Sequence, residues 1–376
     1  MKKKKSEYLN ISKMPLDNRI VVAAAGSGKT TMIVDEACDA VTCRSALVTY
    51  TRNSASEIRD KAYKKLGYIP KHVSISTWYA FLLRHFLRPY QNCLYAKRIS
   101  RIWFVEGQSP IGPPSSDIKR YYFGRPGQIY SDKASKFACQ VIEETRGLPL
   151  RRFEQIFDRL YIDESQDLRA YDLELIELLM KSSVHVTLVG DHRQATYSTN
   201  NAPKHIRYAR AKIVDKFKEW EAAGLCRVDS ECCSHRCTQA ICDFADQFFP
   251  ESPKTVSRNK TVTEHDGVFV VPYSQANAYI RNYCPQVLRY NKTVDVPGDS
   301  INFGASKGME FERTLIFPHK KLERFLATGN LKHAGNDLGK IYVAITRARQ
   351  SAAFVVPDSA TRTLFPIVEA WRAECS

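Results

Sequence analysis

The chain has 376 residues, more than one hydrophobic core usually fills, and this points to two or three domains of ordinary size. Hydrophobic residues at 44% and charged residues at 26% describe a soluble globular protein, the absence of any apolar run near the roughly 20 residues that span a bilayer argues against a membrane-spanning class, and no membrane partner is expected. A formal net charge of +16 favours an acidic polymer as partner, with nucleic acid the leading candidate.

The start, Met1-Lys2-Lys3-Lys4-Lys5, is followed by polar sequence instead of an apolar signal core, so a cytoplasmic location is expected. The lysine run reads either as a solvated tail or as a phosphate-contacting arm. From Val21 to Thr31 the chain reads Val-Val-Ala-Ala-Ala-Gly-Ser-Gly-Lys-Thr-Thr, a buried strand turning through two glycines into a helix. That context suits a phosphate-binding loop, in which the N–H groups of Ala25, Gly26, Ser27, Gly28 and the first helical residues point at a triphosphate. Lys29 would reach the β and γ phosphates of ATP, the Thr30 hydroxyl would hold Mg²⁺, and Thr31 closes the motif.

A second buried strand, Ala46 to Tyr50, precedes Thr51-Arg52-Asn53-Ser54 and a helix expected from Ala55 to Leu66. Tyr50 could stack on a base or sit in the core, and Arg52 could meet a phosphate. Val73 to Trp78 alternates as a third strand, with a helix from Tyr79 to Phe86. From Arg84 to Leu150 the pattern changes. Arg84, Arg88, Lys97, Arg98 and Arg101 are interleaved with Phe86, Tyr90, Tyr95, Trp103 and Phe104, and no acid occurs until Glu106. After the Pro/Gly/Ser-rich Gly107 to Ser116, a second stretch carries Lys119, Arg120, Tyr121, Tyr122, Phe123 and Arg125. This is the composition of an inserted subdomain that either binds single-stranded nucleic acid or packs its aromatics into a small core of its own.

The strand Leu160-Tyr161-Ile162 ends in Asp163-Glu164-Ser165-Gln166-Asp167, where Asp163 can bind Mg²⁺ and Glu164 can polarise water for attack on a γ phosphate. Another strand, Val184 to Val189, runs into Gly190-Asp191-His192-Arg193-Gln194, and the Gln194 amide could sense that phosphate. Lys204, Arg207, Arg210, Lys212, Lys216 and Lys218 then form a basic helical face, solvated or phosphate-contacting. In the last third, Arg236 lies between a strand (Cys226 to Asp229) and a helix (Thr238 to Phe249), Lys307 to Phe311 forms a loop before a strand, and Ile341 to Ile345 runs into Arg347 and Arg349. Arginines in such positions can stabilise charge on a γ phosphate. The cysteines, eleven in all, lack framework spacing and fit a reducing compartment; those from Cys226 to Cys242 contain no Cys-x-x-Cys pair and read as small buried residues, with a metal site as the alternative.

Taken in order, these segments resemble the motif series of superfamily 1 helicases of the UvrD/PcrA/Rep type. Ala25 to Thr30 resembles their phosphate loop, Val48-Thr-Tyr-Thr51 and Ser76-Thr-Trp78 their first DNA-contact motifs, and Asp163-Glu-Ser-Gln-Asp167 the Asp-Glu-x-Gln-Asp box. Val189 to Gln194 resembles the γ-phosphate-sensing motif, Ser234-His-Arg236 the Asn-Tyr-Arg-Ser element, Lys307-Gly-Met-Glu310 the Lys-Gly-Leu-Glu motif, and Tyr342 to Arg347 the Tyr-Val-Ala-x-Thr-Arg motif. The resemblance implies an α/β fold of two RecA-like domains, the first from residues 1–83 and 151–226, the second from 227–376, with 84–150 a small inserted accessory subdomain. It implies ATP between them, and catalytic roles for Asp163, Glu164, Gln194, Arg236 and Arg347, a ribose contact at Glu310, and DNA contacts at Tyr50, Arg52, Thr77, Trp78 and Tyr197. The implied activity is ATP-dependent translocation on single-stranded or tailed DNA, 3′ to 5′. The alternative is a nucleotide-gated DNA-binding subunit with little unwinding that serves a protein partner, a nuclease or a repair or defence factor, as in Gabija-like anti-phage complexes. Several positions depart from the family. An adenine-reading glutamine is missing among Leu9 to Arg19, Thr199 stands where the family stacks an aromatic, Tyr79 replaces a histidine, and Arg236 to Ile301 is too short for the family's large second insertion.

Overall fold

A computed structural model describes residues 17–105, 107–196, 206–360 and 369–371. Within these the chain divides into two compact units, one built from residues 17–22, 29–192 and 206–230 and the other from 23–28, 193–196, 231–360 and 369–371.

The first unit alternates strands and helices: β1 (Arg19–Ala23), α1 (Lys29–Asp39), β2 (Ser45–Thr49), α2 (Arg52–Leu66), β3 (Val73–Thr77) and α3 (Trp78–Leu82). The inserted stretch follows with β4 (Arg101–Trp103), α4 (Ile118–Tyr122), β5 (Phe123–Arg125), β6 (Gln128–Tyr130), α5 (Ala134–Glu144) and α6 (Leu148–Ile156). Then come β7 (Arg159–Ile162), α7 (Tyr171–Met180), β8 (His185–Gly190), α8 (Ile213–Ala222) and β9 (Arg227–Glu231). The sheet order is β3-β2-β7-β8-β1-β9, and the five strands from β3 to β1 are parallel. Parallel strands need helical crossovers on their faces, which is why all five residues of β2 are buried. Their carboxyl ends therefore share one rim, and β8 sits between β1 and β7.

Two helix starts differ from the sequence expectation for a local reason. Helix α2 begins at Arg52, three residues before Ala55, because the Thr51 side chain accepts the Ser54 N–H at 3.0 Å and caps it. Thr77 caps α3 in the same way, so that helix starts at Trp78 and then widens into a π turn over Leu83–Leu87. Residues 84–150 do not form a separate core: Phe86, Tyr95, Tyr122, Phe123 and Phe137 are buried in one continuous apolar cluster with Ile20, Val48, Leu160 and Leu188 of the large sheet.

The second unit carries the short parallel pair β10 (Cys233–Ser234) and β11 (Val256–Ser257), with α9 (Gln239–Asp246) between them. Its sheet is formed by β12 (Gly267–Pro272), β13 (Gln286–Arg289), β14 (Ile301–Asn302), β15 (Phe311–Phe317), β16 (Ala348–Val356) and β17 (Glu369–Ala370). Helices α10 (Ala276–Tyr283), α11 (Lys320–Thr328) and α12 (Leu338–Ile345) connect them. The order is β14-β13-β15-β16-β12-β17, parallel throughout. Alternation along β12 sends Val268 and Val270 to a cluster with α9, α11 and α12, and Phe269 and Val271 to the opposite face with Tyr279 of α10. Each unit is thus an α/β layer structure of the class read from the motifs. Among the described residues no helix is long and apolar enough to cross a membrane, and no group of three or more His, Cys, Asp or Glu could hold a metal ion.

Candidate functional site

In the first unit the carboxyl ends of the parallel strands collect the motifs on one rim. Helix α1 opens at Lys29 and Thr30, and the Thr30 Oγ1 donates to Asp163 Oδ2 at 2.7 Å, beyond the end of β7. The Asp163 backbone N–H is tied to Val48 O of β2 at 2.8 Å, and its Oδ1 accepts the Glu164 N–H at 2.9 Å. Burial pushes the Asp163 carboxyl up from its ordinary value, the adjacent Glu164 carboxylate pushes it further, and the Lys29 ammonium opposes both. Two adjacent carboxyl groups with a hydroxyl on one of them, beside a lysine, form a hard oxygen donor set that fits a divalent cation bound to phosphate. Thr31, exposed on α1, uses its hydroxyl to accept from Lys61 Nζ at 3.2 Å.

Glu164 is held in an uncommon backbone conformation, φ 57° and ψ 40°. A non-glycine residue in this left-handed region is strained, and such strain persists where surrounding contacts over-determine it. Here the Gln166 Nε2 donates to Glu164 Oε2 while Gln166 Oε1 accepts the Asp191 N–H at 3.1 Å, so one amide ties the carboxylate to the end of β8. Gly190 makes that approach possible. A Cβ there would collide with Gln166 Oε1 and lie 2.5 Å from Ser165 Oγ. In the sequence Gly190 is marked only as a small residue that ends an apolar strand just before an aspartate.

In the second unit the turn Ala23–Gly28 has Gly26 and Gly28 at φ 74° and 82°, a region that disfavours other residues. Ala24 N–H donates to Glu231 O at 2.8 Å, His235 N–H to Gly26 O at 2.8 Å, and Ser234 Oγ to Ala25 O at 2.7 Å. A Cβ on Gly26 would stand 2.5 Å from the Arg236 Cβ, whereas one on Gly28 would meet open space. Ser27 Oγ is buried without a hydrogen-bond partner among the described residues. The turn is thus fixed on one side, with donor capacity left for an anion.

The arginines occupy different environments from those expected. Arg347 is 1% exposed, its Nε donating to Val343 O at 3.1 Å, its Nη1 to Met309 O at 3.0 Å and its Nη2 to the Gln194 Oε1 at 3.3 Å. Arg236 donates through Nη1 to Thr346 O at 3.2 Å and through Nη2 to Glu310, while its Nε is buried without a partner among the described residues. The Glu310 carboxyl, against the burial that would raise it, is held below the usual range by Arg236, Arg347 and Arg349. Glu310, expected at a ribose, is therefore engaged by the arginine. A further residue missed in the sequence, Arg193, is buried beside Gln194, its Nη1 3.0 Å from Asp246 Oδ1 and 3.1 Å from Thr255 Oγ1, its guanidinium over the Tyr342 ring.

The expected DNA contacts divide. Arg52 is exposed at the start of α2. Tyr50 is half-buried beside Tyr79, ring centroids 5.8 Å apart, and the Thr77 hydroxyl is used as a helix cap. Trp78 is a correction: it is 1% exposed, stacked on Phe81, and its Nε1 donates to the buried Asp172 at 3.0 Å, so it is a core residue and not a surface contact. Tyr197, Thr199 and Lys204 lie outside the described residues, as does Leu9 to Leu16.

The AAA domain family matches residues 10–200. Among curated proteins the chain is similar to DNA helicase II of Haemophilus influenzae, 23% identical with 70% of this chain and 42% of that protein covered. The chain thus spans less than half the length of that relative. Among solved structures it is similar to the PRRSV helicase, with a TM-score of 0.45, 17% identity, and 92% of this chain and 53% of that one covered. Arterivirus nonstructural protein 10, a helicase in complex with DNA, gives a TM-score of 0.45 at 15% identity, covering 92% of this chain and 63% of that one. The curated relative, a DNA helicase, bears out the resemblance that the motifs carry.

Proposed function

The chain belongs to the AAA domain family, and on that premise we propose that it is an ATP hydrolase that moves along single-stranded DNA, a translocase or helicase of the UvrD-like type working 3′ to 5′. The observation that carries this reading is the hydrogen bond from Thr30 Oγ1 to Asp163 Oδ2, which brings the phosphate-loop hydroxyl and the strand-end carboxylates to one point. Thr30 and Asp163 would hold Mg²⁺, which when bound offsets charge on the β and γ phosphates. Lys29 and the N–H groups of the glycine turn bind the phosphates of ATP. Glu164, oriented by Gln166, accepts the proton of the attacking water, and Gln194 positions that water or the γ phosphate. Arg236 and Arg347 supply positive charge for the transition state, Arg236 on leaving Glu310.

A second reading, a nucleotide-gated DNA-binding subunit that serves a partner nuclease or a repair or defence factor, draws support from the burial of Trp78, which removes one expected grip on DNA. Hydrolysis measured with and without single-stranded DNA, followed by strand separation on a 3′-tailed duplex, distinguishes them. DNA-stimulated turnover with unwinding is expected; stimulated turnover with no strand separation would leave the second reading. Lys29→Ala should abolish hydrolysis, and normal turnover in that variant would refute the site.

A further inference from the structure

The basic-aromatic insert, residues 84–150, sorts its rings into two populations. Tyr95, Tyr122 and Phe123 are buried, and behind them β4, β6 and β5 form a small sheet whose inner residues, Ile129 at 0% exposure and Phe123 at 7%, face the core. The outer face is different. In register, Arg101 stands beside Gln128 and Trp103 beside Tyr130, with the Trp103 and Tyr130 rings 6.3 Å apart. On β5, Gly124 is exposed and bare, and a Cβ there would meet Tyr130 Cε1 at 2.8 Å and Trp103 Cε3 at 3.0 Å. The rings lie across the glycine. Arg125 is exposed and its guanidinium stands 5.0 Å from the centre of the Trp103 ring; Arg101 is exposed on the same strand as Trp103.

Aromatic side chains with this pattern normally serve a core, yet these two are only partly covered, and the core they might have joined is already filled by Ile129 and Phe123. We propose that this outer face, Trp103 and Tyr130 flanked by Arg101 and Arg125, is a stacking platform for the unpaired bases of a single nucleic-acid strand. The assignment deepens the proposed action on single-stranded DNA and rests on it. Rings supply a surface that any base can cover, because every base has a π face, and guanidinium groups take the phosphates or extend the stack. Charge argues for this occupant: no Asp or Glu occurs between Lys61 and Val105, whereas Arg and Lys recur through that interval. Gly124 is explained as well, since any side chain there would displace the two rings. The platform also offers the chain a base contact apart from Trp78, which is buried.

The test uses the full chain, an oligothymidylate single strand and a fully paired duplex, with Lys29→Ala as background so that binding is read without hydrolysis. Trp103→Ala should weaken single-strand binding about 5- to 100-fold while leaving the slope of log affinity against log salt unchanged. Duplex binding should hardly move, and Trp103→Phe should restore most of the loss. Arg125→Glu, at an exposed position, should weaken single-strand binding and flatten the salt slope by roughly 0.7 or more. Unchanged single-strand affinity in Arg125→Glu, or in a Trp103→Ala protein with native circular dichroism, would overturn the platform. Those results are separable from failure of the motor reading. Trp103-dependent binding without DNA-stimulated hydrolysis by the unmutated chain would leave the platform standing and remove the motor, and stimulated hydrolysis indifferent to Trp103 would do the reverse.

Discussion

Gly190 is where one added atom would do most damage to the arrangement of the adjacent carboxylates Asp163 and Glu164. Its missing side chain is the space into which Gln166 fits, and Gln166 in turn holds Glu164 and the Asp191 N–H. Gly190→Ala adds a methyl group against Gln166 Oε1 and Ser165 Oγ, both on the short helical turn Ser165–Asp167. Either β8 or that turn must shift, and overpacking of this kind costs about 1–3 kcal/mol. The larger effect is on chemistry: freeing the Glu164 carboxylate from its orienting amide should lower turnover about 100-fold, within the range ascribed to a positioned general base. Nucleotide affinity should change little, because Lys29 and Thr30 are untouched. Measuring turnover, nucleotide binding and thermal unfolding on one preparation checks this. Turnover within twofold of the unmutated chain would show that Gln166 does not orient Glu164.

Among the elements, α3 with its π turn offers a pH-dependent test. His85 is buried against Phe81, Phe153 and Phe157, with its Nδ1 lacking a hydrogen-bond partner among the described residues. Burial, helped by the charges of Arg152 and Arg84, lowers its pKa to about 4 from an ordinary 6.5. Between these values the unfolded chain binds a proton that the folded one refuses, so the stability contribution is complete above pH 6.5 and is lost as pH falls towards 4. His85→Phe should remove this dependence, and denaturant unfolding at pH 7.5 and pH 4.5 should show its advantage over the unmutated chain growing by about 2 kcal/mol at the lower pH. A constant difference would place the ring in water. This stretch also shows how far the sequence could be read. Strand ends were legible at Asp163, Glu164 and Gln194 because apolar runs closing on polar residues mark the rim of a parallel sheet. Trp78 was misread because its partner, Asp172, lies far along the chain and only the fold brings them together. Arg193 and Asp246 escaped notice for the same reason, and the helix starts moved because Thr51 and Thr77 act through side-chain caps that periodicity does not register.

How the net charge of +16 is distributed decides which cations can meet a polyanion. Many are already engaged. Lys216, its side chain 13% exposed, pairs with Glu177 at 3.3 Å and lies over the Trp220 ring, so the basic face expected around α8 is partly neutralised. Burial works against ionisation of Glu177, but hydrogen bonds from Lys181 and Trp220 and the charges of Lys181 and Lys216 lower its carboxyl to about 2. Lys65 is shared between Asp35 and Asp39, and Arg193 and Arg347 are buried. The positive charge left for a long-range field therefore lies on exposed groups such as Arg52, Arg101 and Arg125. Counterion release makes this distinction measurable, since each phosphate neutralised on a single strand contributes roughly 0.7 to the slope of log affinity against log salt. Lys216→Gln should leave that slope and the single-strand affinity unchanged while lowering stability by about 1 kcal/mol, because it removes an internal partner of Glu177 and not a phosphate contact. Arg101→Gln should do the opposite, flattening the slope with no change in the unfolding midpoint. Salt titrations of oligothymidylate binding beside thermal melts of both variants decide the matter, and equal slopes for the two would mean that the field acts as an undivided whole.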